Sequence, residues 1–110
     1  MNNEREIKKG QIYWVDFPKT KYMLEGIRPG LILSNDIGNK GSSSVLVCPC
    51  TTKSRKELPV HVRIENIGTT ALIEEITCVD KETILGLVGE VDWRKMREIN
   101  TAILIEFGII

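Results

Sequence analysis

The apolar residues of this chain fall into short blocks that are separated by glycine, proline and polar residues. Six of these blocks are rich in β-branched and aromatic side chains, which are typical of strands. They predict strands over residues 11–17, 28–35, 44–52, 59–64, 71–79 and 85–91. In the fourth block, Val60, Val62 and Ile64 share one face, whereas His61 and Arg63 share the other. Such alternation is expected of a strand with one face in a core.

The last apolar block has a helical period instead. Four of its residues recur at a spacing of three to four and share one helix face, namely Met96, Ile99, Ile103 and Phe107. They predict a helix over residues 93–107. Asp92 can cap its first turn, and Gly108 is suited to ending it.

Two features interrupt the strand pattern. Residues 36–43 are rich in glycine and small polar side chains, and predict a loop. Pro49 lies inside the third block and predicts an edge strand or a bulge, because proline cannot donate a ladder hydrogen bond. The complete pattern predicts a mainly β (α+β) fold, a small antiparallel β-barrel with a C-terminal α-helix. At 110 residues, a single domain over residues 1–110 is expected.

The net charge of zero argues against an overtly basic nucleic-acid binder. It conceals an asymmetry, since residues 1–63 hold 11 Lys/Arg against 6 Asp/Glu and residues 64–110 hold 4 against 9. A basic surface facing phosphates is one outcome of this asymmetry, and charges mixed in space are the other. No apolar run is long enough to span a membrane and the N-terminus lacks the apolar core of a signal peptide, so we expect a cytoplasmic protein.

The three cysteines, Cys48, Cys50 and Cys78, form a poor disulfide framework. We expect them to be reduced, buried and apolar in character. His61 is the only histidine, so a zinc site is not expected.

Arg28 is the residue that the pattern singles out. Pro29 restrains it to an extended conformation at the start of an aliphatic strand, where its guanidinium can meet a phosphate. A solvated surface arginine is the alternative. Thr51 and Thr52, at the end of another strand, are either ordinary strand formers or hydroxyls that contact a phosphate or a ribose 2′-OH. His61 is more typical of a hydrogen-bonded, partly buried histidine than of a catalytic base.

Two loops add cations. Residues 18–26 carry Lys19, Lys21 and Tyr22, which suit a loop over a nucleic-acid groove or, equally, an ordinary hairpin loop. A second basic cluster follows Thr52, consisting of Lys53, Arg55 and Lys56.

Five segments carry recognisable motifs, and they are residues 10–16, 25–36, 50–52, 59–62 and 73–81. The second contains Gly-Ile-Arg-Pro, an aliphatic strand and then Asn-Asp. In this order and at this spacing, the segments resemble the MazF/PemK-type toxins, and the resemblance covers residues 9–107. It implies an SH3-like barrel with a terminal helix that forms a homodimer. It also implies the toxin of a type II toxin–antitoxin system, which a cognate antitoxin protein binds.

The resemblance further implies an mRNA interferase, a ribosome-independent and sequence-specific endoribonuclease that cleaves single-stranded mRNA. The family's catalytic arginine and threonine correspond to Arg28 and Thr51. Arg28 would stabilise the charge on the phosphorane and Thr51 would orient the reacting groups, with no metal or other cofactor. The ribose 2′-OH attacks the adjacent phosphate, which leaves a 2′,3′-cyclic phosphate and a 5′-OH. Arginine hardly deprotonates, so the proton acceptor stays open between His61 and Glu25.

The resemblance and the basic loops together suggest a set of RNA-contacting residues, namely Lys19, Lys21, Tyr22, Thr52, Lys53, Arg55, Lys56, Glu75 and Thr77. One departure is that related sequences often carry Glu-Gln-Ile-Arg where this chain has Glu-Glu-Ile-Thr at residues 74–77. Two alternatives use the same barrel. One is a protein-binding toxin that resembles gyrase poisons and grips its target with the terminal helix. The other is a catalytically silent RNA- or peptide-binding barrel.

Overall fold

A computed structural model describes residues 6–21, 25–53 and 57–110. Seven strands occur in this part of the chain, namely β1 (Gln11–Phe17), β2 (Gly26–Ile32), β3 (Ser44–Thr51), β4 (His61–Ile64), β5 (Thr69–Leu72), β6 (Thr77–Asp80) and β7 (Ile84–Glu90). The two α-helices are α1 (Asp36–Gly41) and α2 (Trp93–Glu106), and two 3-10 turns cover Ile73–Glu75 and Lys81–Thr83. Five of the six predicted strands and the terminal helix are therefore present, and their boundaries differ from the predicted ones by a few residues.

The strands form one antiparallel sheet in the order β4-β5-β3-β2-β1-β7, with β6 also paired to β3. The predicted mainly β fold with a C-terminal helix is confirmed. Within the described ranges no ladder joins β4 to β7, so the barrel-like sheet is open.

Both faces of the sheet are packed. One core cluster, which includes Ile12, Leu31 and Cys48, lies beneath α2 and buries Ile99 and Ala102 of that helix. A second cluster on the other face includes Val15 and Ile32. Successive residues of the central strands alternate between the clusters, which explains why β1 is apolar on both faces. Trp14 is an exception, since it remains 45% exposed.

The predicted single strand over residues 71–79 is wrong, because β5 and β6 are separated by the 3-10 turn Ile73–Glu75. Both strands pair with β3, Ala71 opposite Cys50 and Thr77 opposite Val47. The two registers differ by three residues, which is the length of the turn. The three residues of the turn therefore interrupt what would otherwise be one continuous ladder with β3. Ile73, the first of them, lies in the core. Periodicity alone cannot reveal such a turn, because all its residues are compatible with a strand.

Residues 36–43 are not a loop throughout, since Asp36–Gly41 forms α1. The Asn35 side chain caps this helix by accepting from the Gly38 N–H at 2.8 Å. Asn39 is buried beneath it, where its amide donates to the Ser34 carbonyl at 2.9 Å. These polar contacts outweigh the low helix propensity of the two glycines.

Pro49 does not mark an edge strand, because β3 has neighbours on both sides. On one side it pairs with β6 up to Val47 and with β5 from Cys50 onward. Pro49 lies in the gap between these two ladders, where a missing N–H is tolerated. The proline thus marks the place at which β3 changes partners.

The terminal helix begins as predicted, since the Asp92 carboxylate accepts from the Lys95 N–H at 2.9 Å. Ile99 is fully buried and Ile103 is half-buried against the first core cluster. The predicted inclusion of Phe107 in this face is wrong, because Phe107 follows the last helical residue and is 65% exposed. Across the described ranges, no helix combines the length and apolar character that crossing a membrane requires.

Candidate active site

Arg28 lies in β2, opposite Val15 of β1, and its side chain is held by the main chain of the preceding turn. The Nε and Nη2 atoms both donate to the Glu25 carbonyl oxygen, at 3.2 and 2.8 Å. Two of the five guanidinium N–H groups are thereby used, and three remain for a ligand. Arg28 is consequently a half-buried, anchored cation rather than a freely rotating surface side chain.

Thr51 is the last residue of β3 and is only 5% exposed. Its Oγ1 atom accepts from the Lys53 N–H at 3.1 Å, which fixes the turn that leaves the strand. The hydroxyl hydrogen is still available for donation. Thr51 can therefore act as a positioned hydrogen-bond donor.

The β2–β3 register relates these two residues. Leu31 pairs with Cys48 and Gly30 with Pro49, after which the ladder ends. Two further steps of the same register lead to Arg28 on β2 and Thr51 on β3. Residues at matching positions of antiparallel strands project from the same face. The fold thus brings Arg28 and Thr51 to the same end of adjacent strands, where the strands diverge.

The other predicted contact residues divide into two groups. Lys19 and Lys21 follow β1 at this same end of the sheet, and Thr52 and Lys53 follow β3; all four are exposed. Glu75 and Thr77 are half-buried, in and after the 3-10 turn. Because Thr77 pairs with Val47, it lies about 13 Å along β3 from Thr51. Tyr22, Arg55 and Lys56 lie outside the described residues.

His61 forms a pair with Glu74 that sequence reasoning did not identify. Its Nε2 atom lies 2.7 Å from Glu74 Oε2, and its Nδ1 accepts from the Leu58 N–H at 3.2 Å. This pattern places the proton of the neutral ring on Nε2. The prediction of a partly buried, hydrogen-bonded histidine is confirmed. The partner escaped notice because the three-residue turn brings Glu74 to β4, and that turn is not visible in the periodicity.

Two of the three cysteines behave as predicted. Cys48 and Cys50 are fully buried free thiols. Burial raises the pKa of Cys50 to about 12, and burial together with the neighbouring Cys50 raises the pKa of Cys48 well above its usual value. Both thiols are therefore protonated and unreactive at neutral pH. The prediction is wrong for Cys78, which is exposed because its strand directs it away from the core.

The chemistry available at the Arg28–Thr51 end is that of an anchored cation beside hydroxyl donors. Among the described residues, no group of three or more His, Cys, Asp or Glu side chains is arranged to hold a metal ion. A recess of about 1320 Å³, lined by residues that include Asp36, Lys40 and Lys81, lies at the opposite end of the sheet from Arg28. The Arg28–Thr51 end suits an extended anionic ligand that lies across strand ends.

Known proteins share this architecture and this sequence. A solved endoribonuclease in complex with its cognate antitoxin, from Mycobacterial species, superimposes with a TM-score of 0.77 at 25% identity and covers 96% of both chains. Endoribonuclease EndoA of Bacillus subtilis is 30% identical over 94% of this chain and 97% of its own. Endoribonuclease MazF of Staphylococcus saprophyticus is 32% identical over 94% and 92%.

The family model of PemK-like, MazF-like toxins of type II toxin–antitoxin systems matches residues 8–107. The chain therefore belongs to this toxin family, as the motifs around Arg28 and Thr51 predicted.

Proposed function

We propose that this protein is an endoribonuclease that cleaves single-stranded RNA, mRNA in the cell, at the Arg28–Thr51 end of the sheet. The observation that carries the proposal is the pairing of an anchored guanidinium with a buried hydroxyl at matching positions of two diverging strands. The relatives named endoribonucleases support RNA as the substrate. The described residues fit a reaction in which protein donors, rather than a metal ion, stabilise the developing charge.

In this reaction the ribose 2′-oxygen attacks the adjacent phosphorus while the bond from phosphorus to the 5′-oxygen breaks. The products are a 2′,3′-cyclic phosphate and a 5′-OH. The remaining N–H groups of Arg28 bind the phosphoryl oxygens as negative charge develops on them, and Thr51 donates a hydrogen bond that holds the phosphate. One proton leaves the 2′-OH and another reaches the 5′-oxygen.

The contacts of the two candidates support a choice of proton acceptor. Both ring nitrogens of His61 are engaged, one by Glu74 and the other by the Leu58 N–H. Glu25 is exposed, and its main-chain carbonyl oxygen accepts a hydrogen bond from the Arg28 guanidinium. We therefore assign the acceptor role to the Glu25 carboxylate rather than to His61.

The exposed cations near this end extend the RNA contact in the proposal. Lys19, Lys21 and Lys53 bind phosphates of the flanking nucleotides, and Thr52 contacts the sugar–phosphate backbone. Glu75, in the 3-10 turn, and Thr77, at the start of β6, contact nucleotides more distant from the cleaved bond.

The proposal includes two protein partners. Several large apolar side chains are exposed at and beyond the ends of α2, among them Trp93 at 62%, Phe107 at 65% and Ile110 at 69%, and we infer that a homodimer covers them. A relative solved with its cognate antitoxin supports a second partner, an antitoxin that covers the RNA site. Each subunit is a single toxin domain over residues 1–110, and the dimer acts in the cytoplasm, where its RNA is found.

The test is to incubate the purified protein, in EDTA, with a long single-stranded RNA and to map the 5′-OH ends. We expect discrete cleavage by the wild type. Arg28→Ala should lose activity by about two to three orders of magnitude, because donors to developing charge contribute that much. Lys40→Ala removes an exposed charge from α1, at the other end of the sheet, and should retain full activity.

Circular dichroism would show that both variants are folded. Absence of cutting by the wild type, or equal cutting by Arg28→Ala, would refute the ribonuclease proposal. In that case the alternatives of a protein-binding toxin and a silent binding barrel would be favoured.

A further inference from the structure

A cross-strand row on one face of the sheet ends at Thr51. Arg63 of β4 lies directly opposite Thr70 of β5, and Thr70 lies directly opposite Thr51 of β3. Directly opposite residues of antiparallel strands project from the same face. We call these three residues the Thr51 row. Their neighbours along the strands face the first core cluster, and these are Val62, Ala71 and Cys50.

Exposure increases along the Thr51 row, away from the cleavage position. Thr51 is buried, Thr70 is half-buried and Arg63 is exposed. Neighbouring strands lie about 4.8 Å apart, so the Cα atom of Arg63 is roughly 10 Å from that of Thr51. A long side chain at this distance can reach a phosphate one or two nucleotides from the one held at Thr51.

The Arg63 guanidinium is not committed to another group. Within residues 6–21, 25–53 and 57–110 it makes no hydrogen bond or ion pair. One carboxylate that could compete for Arg63 is that of Glu65, which Lys95 Nζ binds at 2.9 Å. That hydrogen bond is the main reason why the pKa of Glu65 lies below its usual value, with a smaller effect from the charge of Arg63. Lys95 thus leaves Arg63 free to bind an external anion.

We propose that Arg63 binds the RNA backbone, holding a phosphate one or two nucleotides from the cleaved bond so that the strand lies along the Thr51 row. The motifs that indicate Arg28 and Thr51 do not include this residue. The inference rests on the proposed function in taking RNA as the ligand. Arg63 contributes equally to binding of the ground state and the transition state, because it lies away from the reacting atoms.

Two measurements test this role. The first is binding of a mixed-sequence 2′-O-methyl RNA 20-mer, which cannot be cleaved because it lacks the nucleophilic hydroxyl. We expect Arg63→Gln to weaken binding about three- to tenfold and to lower the slope of log Kd against log salt concentration by about 0.7, the value for one phosphate contact on a single strand. Arg63→Lys should restore most of the slope. Lys40→Gln, with the same charge change on α1, should behave as wild type.

The second measurement is steady-state cleavage of a long RNA. Arg63→Gln should raise KM about three- to tenfold and leave kcat unchanged. An unaltered salt slope and KM in Arg63→Gln, with wild-type cleavage intact, would overturn the role of Arg63 but not the ribonuclease proposal. Wild-type protein that binds the 20-mer and does not cut RNA would refute only the ribonuclease proposal. Failure of the wild type to bind the 20-mer would overturn the role of Arg63.

Discussion

Gly30 leaves room for two buried side chains of β1 beneath the site, and its replacement by alanine should be costly. A methyl group at Gly30 would lie 2.8 Å from Val15 Cγ2 and 3.0 Å from Phe17 Cζ. Both neighbours are buried, with exposures of 0% and 2%, so neither can move into solvent. Overpacking of this kind destabilises a core by about 1–3 kcal/mol.

Gly86→Ala provides the matched control. Gly86 also lies in a strand, but a methyl group there would meet its nearest atom, Trp14 Cδ1, at 3.9 Å, an ordinary contact. Both substitutions reduce the entropy of the unfolded chain, which stabilises each variant by about 0.4–1 kcal/mol. The difference between the two variants therefore isolates the steric cost, about 1–3 kcal/mol.

Urea denaturation at a single protein concentration measures this difference, since the stability of a dimer depends on concentration. We expect Gly30→Ala to unfold at a urea concentration lower than that of Gly86→Ala by about 1 M, with the same m value. RNA cleavage should also fall more in Gly30→Ala, because a shift of Val15 disturbs its cross-strand neighbour Arg28. Unfolding free energies that agree within about 0.5 kcal/mol would refute the steric reasoning.

Three further predictions concern groups outside the cleavage site. Glu74→Ala should lower the free energy of unfolding by about 1–3 kcal/mol more than Glu74→Gln, because only alanine leaves the buried His61 N–H without an acceptor; equal losses in urea denaturation would contradict this. A disulfide reagent at pH 7.5 should modify Cys78 alone in the native protein, and Cys48 and Cys50 only after unfolding. Since the folded pKa of Cys50 is about 12 and the ordinary value is 9.0, the unfolded chain loses its thiol proton first, so stability falls as pH rises above 9.0. This thiol contributes about 1.4 kcal/mol per pH unit to the decline, and Cys50→Ala should lose only that contribution, because the buried Cys48 thiol has a raised pKa of its own.

The strand positions of Arg28 and Thr51 were predictable from sequence because they carry local constraints, whereas their catalytic roles were implied by the family resemblance. Pro29 restricts Arg28 to an extended conformation, and this restriction depends on adjacent residues alone. Thr51 could be placed at a strand end by the turn residues that follow it. Asp92 was recognisable as a helix cap for the same reason, and the structure contains that cap.

The missed features depend on contacts between residues distant in the chain. The break between β5 and β6 is defined by a shift of three residues in pairing with β3, and a strand-like sequence gives no sign of its register. The same shift places Glu74 against His61. Residues 36–41 form a helix because Asn39 finds buried partners in Ser34, a tertiary effect that overrides two glycines. Arg63 escaped attention since its relation to Thr51 exists only through the intervening Thr70.

The end of the β2–β3 ladder accounts for the opening between the two strands that carry the proposed chemistry. The last β2–β3 pair joins Gly30 to Pro49, and the next hydrogen-bonding position on β2 is Pro29, which has no N–H to donate. Beyond this pair β3 pairs with β5, and β2 pairs with β1 alone as far as Gly26. A paired ladder at Arg28 and Thr51 would bring two main chains together at the place where a phosphate must enter. Divergence of the strands leaves that place open, while the pairing of β2 with β1 continues past Arg28 to Gly26 and so keeps Arg28 in place.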